Sequence, residues 1–538
     1  MPDRPPEATP VPRAAWGAIV GATHVIDDEV ALGEASTATF ATAGRVALIV
    51  RPADTDQVQA CVRLANDHSV SLYPVSSGLN WGYGSRVPAT GAAVLLDLGR
   101  MQRILDFDEN LAYVTLEPGV TQQQLFDFLR ARGSRLWIDA TGASPAASLL
   151  GNTMERGFGH TPYGDHFAHV CGLEVVLGDG RRIETGFARF GPSPVAPVYA
   201  YGVGPVLDGL FTQSNLGIVT RMTMWLMPAP EYFQAFFFRC DTPGDLGRAI
   251  DALRPLKLSG TLRSALHVGN DYKVLNGLQQ YPWQEVGERT PLTPDDMAPI
   301  RRRLRIGLWN GSGGLYGTRA QVREARRLVK RQLSGIAGQL QFLDDRKLAL
   351  AQRFAGPYGA VTGWDLSAAL ELLKPVYGLM KGEPTKQPLA SAYWRKRMPP
   401  PAVMNPDRDR CGLLWCAPVA PLDGQHAEAL VALVYRIVLA HGFEPLISLT
   451  LVTDRALTCV VSISYDRDVE GEDERALTCY DVLLDALASA GYHSYRLSLR
   501  GMTRLPQGAT AEFLGGIKSV ADPRSVIAPG RYGIGRQG

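Results

Sequence analysis

Short apolar runs alternate with helical patterns over the first 230 residues. The runs VALIVRP, VSLYPVSSG, AAVLLDL and AYVTLEPGV have the length and composition of β-strands. After the first run, Asp54 can cap a helix whose apolar positions, among them Val58 and Val62, share one face. A second helix, in TQQQLFDFLRARG, is predicted to end at Gly133. This alternation of strands and helices predicts an α+β or α/β domain.

The pattern changes near residue 232. Helical segments rich in Arg, Leu and Ala then alternate with longer loops as far as about residue 494. The last segment returns to short apolar runs and turns, as in SVADPRSVIAPGRYGIG. A chain of 538 residues is too long for one ordinary core, so two or more domains are expected.

Composition narrows the choice of partners and compartment. The chain is 46% apolar and 20% charged with a net charge of +2, so neither nucleic acid nor a membrane is indicated as a partner. The seven Cys contain no C-x-x-C pair, which predicts free thiols in a reducing compartment. The N-terminus has no apolar signal-peptide run, and ALVALVYRIVLA is too short to span a bilayer. A cytoplasmic location is therefore predicted.

The glycine-rich stretch PVSSGLNWGYG, residues 74–84, is a candidate phosphate-binding loop. A dinucleotide fingerprint needs a third glycine at the start of a helix, but here Val87 takes that position and the strand run AAVLLDL follows. The Rossmann interpretation therefore fails, and a plain tight loop between strands remains the alternative. A second loop of small residues, 141–167, allows backbone N–H groups to approach a ligand closely. Two such loops without a Rossmann helix indicate a flavin site built from loops.

Several further stretches carry a resemblance to one family. They are GLNWGYG, LEPGV, GNTMERGFGHTPYGDHF, LEVVLGDGRRIETG, LFTQSNLGIVTRMTMWLMPAPE, SYRLSLR and ADPRSVIAPGRYGI, in the family's order. The sequence resembles the vanillyl-alcohol oxidase / para-cresol methylhydroxylase flavoproteins. The resemblance implies an α+β, two-domain, PCMH-type FAD-binding fold with an α+β cap domain. The FAD domain would comprise residues 1–231 and 495–538, and the cap residues 232–494.

The resemblance also implies FAD as the cofactor and assigns the residues that bind it. Residues 76–80 would form the pyrophosphate cradle. The full set implied is Pro74, Ser76, Ser77, Gly78, Leu79, Asn80, Gly82, Gly142, Ser148, Gly151, Asn152, Gly159, Tyr163, Gly164, Asp165, Gly217, Ile218, Val219 and Arg531.

The family oxidises para-substituted phenols bound as phenolates. A hydride leaves the benzylic carbon for the flavin and a para-quinone methide results. Donors must surround the phenolate oxygen, and the family's two Tyr and one Arg fall here on Tyr83, Tyr495 and Arg496. His160 stands where the family usually has Tyr. It is either a donor or cation near the substrate side chain or a neutral, satisfied histidine.

Two departures from the family pattern bear on chemistry. The oxidases place an Asp near the flavin where this chain has Gly142 or Ala143, and Asp139 upstream is not its substitute. Without a base to assist hydration, oxidative decarboxylation of a 3-aryl-propanoate-like acid to a vinyl phenol is favoured, with His160 or Arg86 meeting the carboxylate. A 4-alkylphenol or vanillyl-alcohol-type oxidase or hydroxylase is the alternative. A non-catalytic flavin-binding subunit is the alternative of another class.

The second departure concerns the attachment of FAD. The oxidases link it to a cap-domain His, and the aligned residue here is Leu413, which cannot form the bond. Tyr393 is the nearest candidate for a tyrosyl link, so FAD is predicted to be non-covalent. His166 and His169 have no accompanying cluster, so no metal is predicted. The electron acceptor is either O2 or an electron carrier. The sequence leaves undecided whether the protein is a monomer or a homodimer.

Overall fold

The N-terminal half of the chain builds three sheets. The computed structural model describes residues 12–362 and 366–535. The strands of this half are β1 (Val25–Ile26), β2 (Arg45–Val50), β3 (Leu72–Val75), β4 (Ala92–Asp97), β5 (Ile104–Asp108), β6 (Tyr113–Leu116), β7 (Leu136–Trp137), β8 (Val170–Val176), β9 (Arg182–Glu184), β10 (Ile218–Trp225) and β11 (Met227–Pro228). They form a four-stranded sheet in the order β1-β2-β4-β3, a five-stranded sheet in the order β5-β6-β10-β8-β9, and the pair β11-β7. The four apolar runs predicted as strands are confirmed as β2, β3, β4 and β6.

The helices of this half are short and lie between the strands. They are α1 (Arg13–Val20), α2 (Glu29–Ala35), α3 (Thr55–His68), α4 (Gln122–Ala131) and α5 (Leu149–Met154). Asp54 caps α3 as predicted, because its Oδ1 accepts the Gln57 amide at 2.9 Å. Gly133, with φ +62°, lies in the left-handed region just after α4. Strand β4 follows the 74–84 loop directly, so no Rossmann helix is present there.

The middle of the chain builds one large antiparallel sheet. Its strands are β12 (Tyr232–Cys240), β13 (Leu266–Asn270), β14 (Trp309–Gly317), β15 (Gln339–Leu343), β16 (Cys411–Cys416), β17 (Pro418–Pro421), β18 (Leu446–Leu451), β19 (Ala456–Asp466) and β20 (His493–Ser494). Eight of the nine strands run in the order β15-β12-β14-β13-β18-β19-β17-β20, and the ninth, β16, pairs with β19. All of them lie between residues 232 and 494. This supports the predicted cap segment, whose boundaries stay a prediction.

Helices cover this sheet and complete its core. Those of the middle segment are α6 (Asp245–Leu258), α7 (Asp271–Leu278), α8 (Trp283–Val286), α9 (Pro294–Leu304), α10 (Arg319–Gln332), α11 (Asp345–Thr362), α12 (Leu366–Leu379), α13 (Gly424–Ala440) and α14 (Glu472–Ser489). Residues of α6, α10, α13 and α14 share one buried apolar cluster with the strands. The α+β, two-domain class expected from the sequence is confirmed.

The C-terminal segment packs on the N-terminal half. It holds α15 (Leu499–Met502) and α16 (Ala509–Ala521). The Leu72 amide donates to Val526 O and the Ala528 amide donates to Leu72 O, each at 2.7 Å. Val526, Ile527 and Ala528 belong to the same apolar cluster as β2, β3 and β4. Both ends of the described chain therefore contribute to one core.

The cysteines and the helices of the described chain bear on the predicted compartment. All seven cysteines are buried free thiols. None of the helices in residues 12–362 and 366–535 combines the length and hydropathy needed to cross a membrane. The cytoplasmic location stays a prediction.

Candidate active site

One cavity of about 510 Å³ lies where the two halves of the chain meet. Its wall takes residues from the loops at 73–85, 141–160 and 211–219, from the nine-stranded sheet, and from the C-terminal segment at 495–496 and 527–531. Loops after strands from both halves therefore close around one space, as is common for binding sites between domains.

The glycine-rich loops on this wall suit a large, polar cofactor. A Cβ on Gly151 would lie 2.2 Å from Ser76 Oγ, so the absence of a side chain lets the two predicted loops meet. Gly78 has a φ of +70°, which a side chain would strain. Two buried polar atoms of the same wall, Ser214 Oγ and Asn215 Oδ1, have no hydrogen-bond partner within the described chain. Such unpartnered polar atoms are available to bind the hydrogen-bonding groups of FAD.

Most of the residues assigned to FAD from the sequence lie on this wall. They are Pro74, Ser76, Ser77, Gly78, Leu79, Asn80, Gly142, Ser148, Gly151, Asn152, Gly217, Ile218, Val219 and Arg531. Five others do not line the cavity: Gly82, Gly159, Tyr163, Gly164 and Asp165. A Cβ on Gly82 would meet the Trp415 ring and one on Gly159 would meet the Asp139 carboxylate, while Tyr163 stacks on His169 at 4.0 Å. These five residues belong to the same loops as the wall residues but do not themselves line the cavity.

The three proposed phenolate ligands come together in the structure. Tyr83, Tyr495 and Arg496 all lie on the cavity wall, and the Arg496 guanidinium carbon is 4.2 Å from the Tyr83 ring centroid. Burial raises the pKa of Tyr83 well above its usual value, and burial also raises that of Tyr495 despite the opposing charge of Arg496. Both hydroxyls are therefore neutral donors at neutral pH. Arg496 Nε is buried and makes no hydrogen bond within the described chain.

Glu155 balances the arginines of this region. Its carboxylate accepts the Tyr532 hydroxyl at 2.7 Å, pairs with Arg531, and lies 3.6 Å from Arg496 Nε. Burial acts to raise the pKa of Glu155, but the charges of Arg531 and Arg496 outweigh it and the pKa lies below its ordinary value. One carboxylate and two guanidiniums leave a net positive charge beside the tyrosines. That charge suits an oxyanion.

Two histidine rings lie in contact on the cavity wall, tilted by 32° to each other. The rings of His160 and His267 lie 4.4 Å apart, with His160 Nδ1 3.2 Å from Ala140 O and His267 Nδ1 3.2 Å from Thr450 Oγ1. Burial lowers the pKa of both imidazoles, so both are neutral near pH 7. His160 is thus a neutral histidine beside the substrate space.

Asp139 lies behind the wall with its oxygens engaged. Oδ1 accepts the amides of His160 and Thr161 at 3.1 and 2.6 Å, and Oδ2 is 2.6 Å from His166 Nε2. The wall itself presents Gly142 and Ala143 at this point. Asp139 therefore orders the loop of His160 and does not reach the cavity as a base.

The residues considered for attachment of the cofactor differ in position. Leu413 lies on the cavity wall, whereas Tyr393 lies off it. The Tyr393 hydroxyl donates to Asp409 Oδ2 at 2.5 Å, and burial raises its pKa. The His166–His169 pair is not part of any cluster of three or more metal-ligating side chains in the described residues.

Sequence reasoning missed several residues of this wall. Lys273, His267 and Trp415 all line the cavity. Arg86, named earlier as a possible carboxylate partner, does not line it, and its side chain packs against Gly78. The local sequence NDYKVLNG predicts an exposed lysine, because its pattern gives no indication that the side chain enters a cavity. The glycine in the sequence NWGYG was the available signal for Trp415, since Gly82 leaves the space that the ring fills.

Comparison with known proteins agrees with this site. A family profile described as an FAD binding domain matches residues 46–186. The chain is 44% identical to the 1'-carboxy-chondrochloren decarboxylase of Chondromyces crocatus over 96% of both chains. It is 31% identical to the 4-cresol dehydrogenase (hydroxylating) flavoprotein subunit of Pseudomonas putida, over 89% of this chain and 86% of that one. The solved 4-ethylphenol oxidase of Gulosibacter chungangensis, in an isoeugenol complex, superposes with a TM-score of 0.87 at 29% identity, over 97% and 96% of the chains.

The fold, the glycine-lined cavity and these matches define an FAD-dependent oxidoreductase. Within that class, the chain belongs to the vanillyl-alcohol oxidase / para-cresol methylhydroxylase family of flavoproteins.

Proposed function

We propose that this enzyme oxidises the benzylic position of a para-substituted phenol and decarboxylates 3-aryl-propanoate-like acids to vinyl phenols. The observation that carries the proposal is the convergence of Tyr83, Tyr495 and Arg496 on one cavity, beside a wall that offers no unengaged carboxylate in the described residues. The 44% identical relative is itself a decarboxylase, which supports the same assignment.

The first task of the site is to hold the phenol as its phenolate. Tyr83 and Tyr495 donate hydroxyl hydrogens to the phenolate oxygen, and Arg496 supplies the positive charge. Asn80 Oδ1 accepts from Arg496 Nη2 at 2.5 Å and fixes the guanidinium. The donors are in place before the substrate arrives, so little reorganisation is needed as the electron-rich ring develops.

The second task is to orient the side chain. FAD, when bound by the glycine-rich loops, supplies the acceptor for the benzylic hydride. Oxidation leaves a quinone methide, and the bond to the carboxyl carbon then breaks. Its electron pair becomes the side-chain double bond and the ring returns to a phenolate, so CO2 leaves and no proton has to move. This outcome needs no base from the protein, so Gly142 and Ala143 can take the place of the family's Asp.

A second candidate is oxidation of neutral 4-alkylphenols with addition of water. The observation that favours it is His267 Nε2, a buried imidazole nitrogen on the wall without a partner in the described chain. A neutral imidazole can take the proton that water loses. Two relatives, a hydroxylating 4-cresol dehydrogenase and a 4-ethylphenol oxidase, act on such phenols.

Product masses separate the two candidates. The purified enzyme is mixed without oxygen with 3-(4-hydroxyphenyl)propanoate and, separately, with 4-ethylphenol, while flavin bleaching is followed. We expect 4-vinylphenol and CO2 from the acid. Clean hydroxylation of both compounds would leave the second candidate standing, and no bleaching by any phenol would overturn both. The acceptor that reoxidises the flavin, O2 or a carrier, is found by repeating the assay with each.

A further inference from the structure

One lysine reaches the same cavity wall as the phenolate ligands. Lys273 lies in the first turn of α7, directly after β13, and its half-buried side chain lines the wall. Burial lowers its pKa to about 8. A buried cation is costly unless something of opposite charge or polarity meets it. Its position therefore calls for a partner.

The protein supplies only part of that partnership. Lys273 Nζ donates to Asn276 Oδ1 at 3.1 Å and lies 5.4 Å from the centroid of the Trp415 ring. In residues 12–362 and 366–535, no carboxylate forms an ion pair with it, and no charged neighbour shifts its pKa. An ammonium has three N–H donors, so one hydrogen bond leaves capacity for an acceptor inside the cavity.

The other basic groups near the cavity are already committed or neutral. Arg531 forms an ion pair with Glu155, and the Arg496 guanidinium lies over the Tyr83 ring. His160 and His267 are neutral because burial lowers the pKa of each. Among the cations of the described wall, Lys273 is therefore the one left to bind the substrate's side chain.

Trp415 connects Lys273 with the phenolate end of the site. The Trp415 amide donates to Gly82 O at 3.2 Å, and its ring fills the space where a Gly82 Cβ would be. Tyr83 follows Gly82 in the chain. The indole therefore lies between the loop of Tyr83 and the ammonium of Lys273, and its face offers an apolar surface along which an aryl side chain can pack.

We propose that Lys273 binds the carboxylate of the substrate and makes the cavity select phenols with an acidic side chain over neutral alkylphenols. The inference deepens the proposed function and rests on it. The ion pair stabilises the bound acid and disappears as CO2 leaves, so it strengthens binding and does not speed bond cleavage. Removal of Lys273 should consequently raise KM for the acid without lowering kcat.

The test is a binding measurement that does not depend on turnover. The ligands are 3-phenylpropanoate and 3-phenylpropanamide, which lack the 4-hydroxyl group and are not oxidised as phenols. Their affinities for the FAD-loaded enzyme are measured by calorimetry in the wild type, Lys273→Met and Lys273→Arg. Lys330→Met, on the exposed side of α10, is the charge-matched control. Flavin content and thermal stability are recorded for each variant.

We expect Lys273→Met to weaken binding of the acid about 10- to 100-fold, the range for a hydrogen bond to a charged group, and to change that of the amide less than about twofold. Lys273→Arg and Lys330→Met should keep the preference for the acid. Equal affinities of the wild type for the two ligands, or equal weakening of both in Lys273→Met, would overturn the inference. A preserved preference for the acid in an enzyme that oxidises no phenol would overturn the proposed function alone.

Discussion

Arg496 can stay charged in a buried site because Glu155 stands 3.6 Å away and Asn80 accepts one of its N–H groups. The sequence predicted Tyr83, Tyr495 and Arg496 through motifs near both ends of the chain. It did not predict Glu155 or Lys273, because the roles of these residues depend on contacts between segments far apart in sequence. Charge balance at a buried site is a property of tertiary structure, and no local pattern encodes it.

Removal of one phenolate donor should slow flavin reduction while FAD stays bound. We expect Tyr495→Phe or Arg496→Lys to raise the barrier to reduction by a phenol by roughly 2–4 kcal/mol, as for loss of one oxyanion donor. Stopped-flow absorbance of the flavin measures the rate. Tyr393→Phe is the matched control, since that hydroxyl points to Asp409 off the cavity wall. Unchanged rates in both active-site variants would show that these residues do not bind the phenolate.

A carboxylate at position 142 should redirect the product. A Cβ on Gly142 would meet Pro388 at 3.5 Å, an ordinary contact, so Gly142→Asp should fold. The new carboxylate can take a proton from water, and the fraction of alcohol from 4-ethylphenol should rise. Gly142→Asn has the same shape without the charge and is the control. Product ratios from mass spectrometry that are equal in the two variants would contradict the role given to the missing base.

At the scale of elements, glycine explains why one strand of the large sheet was missed. The apolar runs of the N-terminal half were predicted and found, but β14 (Trp309–Gly317) contains four glycines and did not read as a strand. The structure shows the reason for them. A Cβ on Gly311 would lie 2.1 Å from the Phe238 ring, and one on Gly313 would lie 2.1 Å from Leu266. Large side chains of neighbouring strands take that room, and only the pairing of the strands reveals it.

Strand β16 carries the residue that aligns with the family's FAD-linking histidine. It brings Leu413 to the cavity wall, and the 3₁₀ turn Gln387–Tyr393 leaves the Tyr393 hydroxyl on Asp409. We therefore expect acid precipitation to release FAD into the supernatant, where its absorbance measures it. Tyr393→Phe should release the same amount. Flavin that stays with the pellet in the wild type but not in Tyr393→Phe would identify a tyrosyl link.

At the scale of the molecule, a buried ion pair fastens the C-terminal segment. Lys518 Nζ lies 2.6 Å from Asp522 Oδ2, both side chains are at most 1% exposed, and Asp522 also accepts the amides of Val526 and Ile527. Asp522→Ala would leave Lys518 buried without its counter-charge. We expect the free energy of unfolding to fall by about 3–5 kcal/mol, and flavin to be lost with it.

The control for that change is an exposed pair. Glu288 and Arg397 have side chains that are 80% and 53% exposed, so Glu288→Ala should cost less than about 1 kcal/mol. Thermal unfolding followed by circular dichroism compares the two variants. Equal melting temperatures for Asp522→Ala and the wild type would show that the C-terminal segment does not contribute to the stability of the N-terminal half.

The hydrogen bonds between Leu72 and residues 526 and 528 have a consequence for synthesis on the ribosome. The edge of the first sheet is completed by residues that emerge some 450 positions later. A nascent chain can therefore fold the nine-stranded sheet while the flavin-binding half still lacks part of its core. We therefore expect cofactor uptake to follow release of the finished chain, and a chain truncated after the middle segment to be colourless.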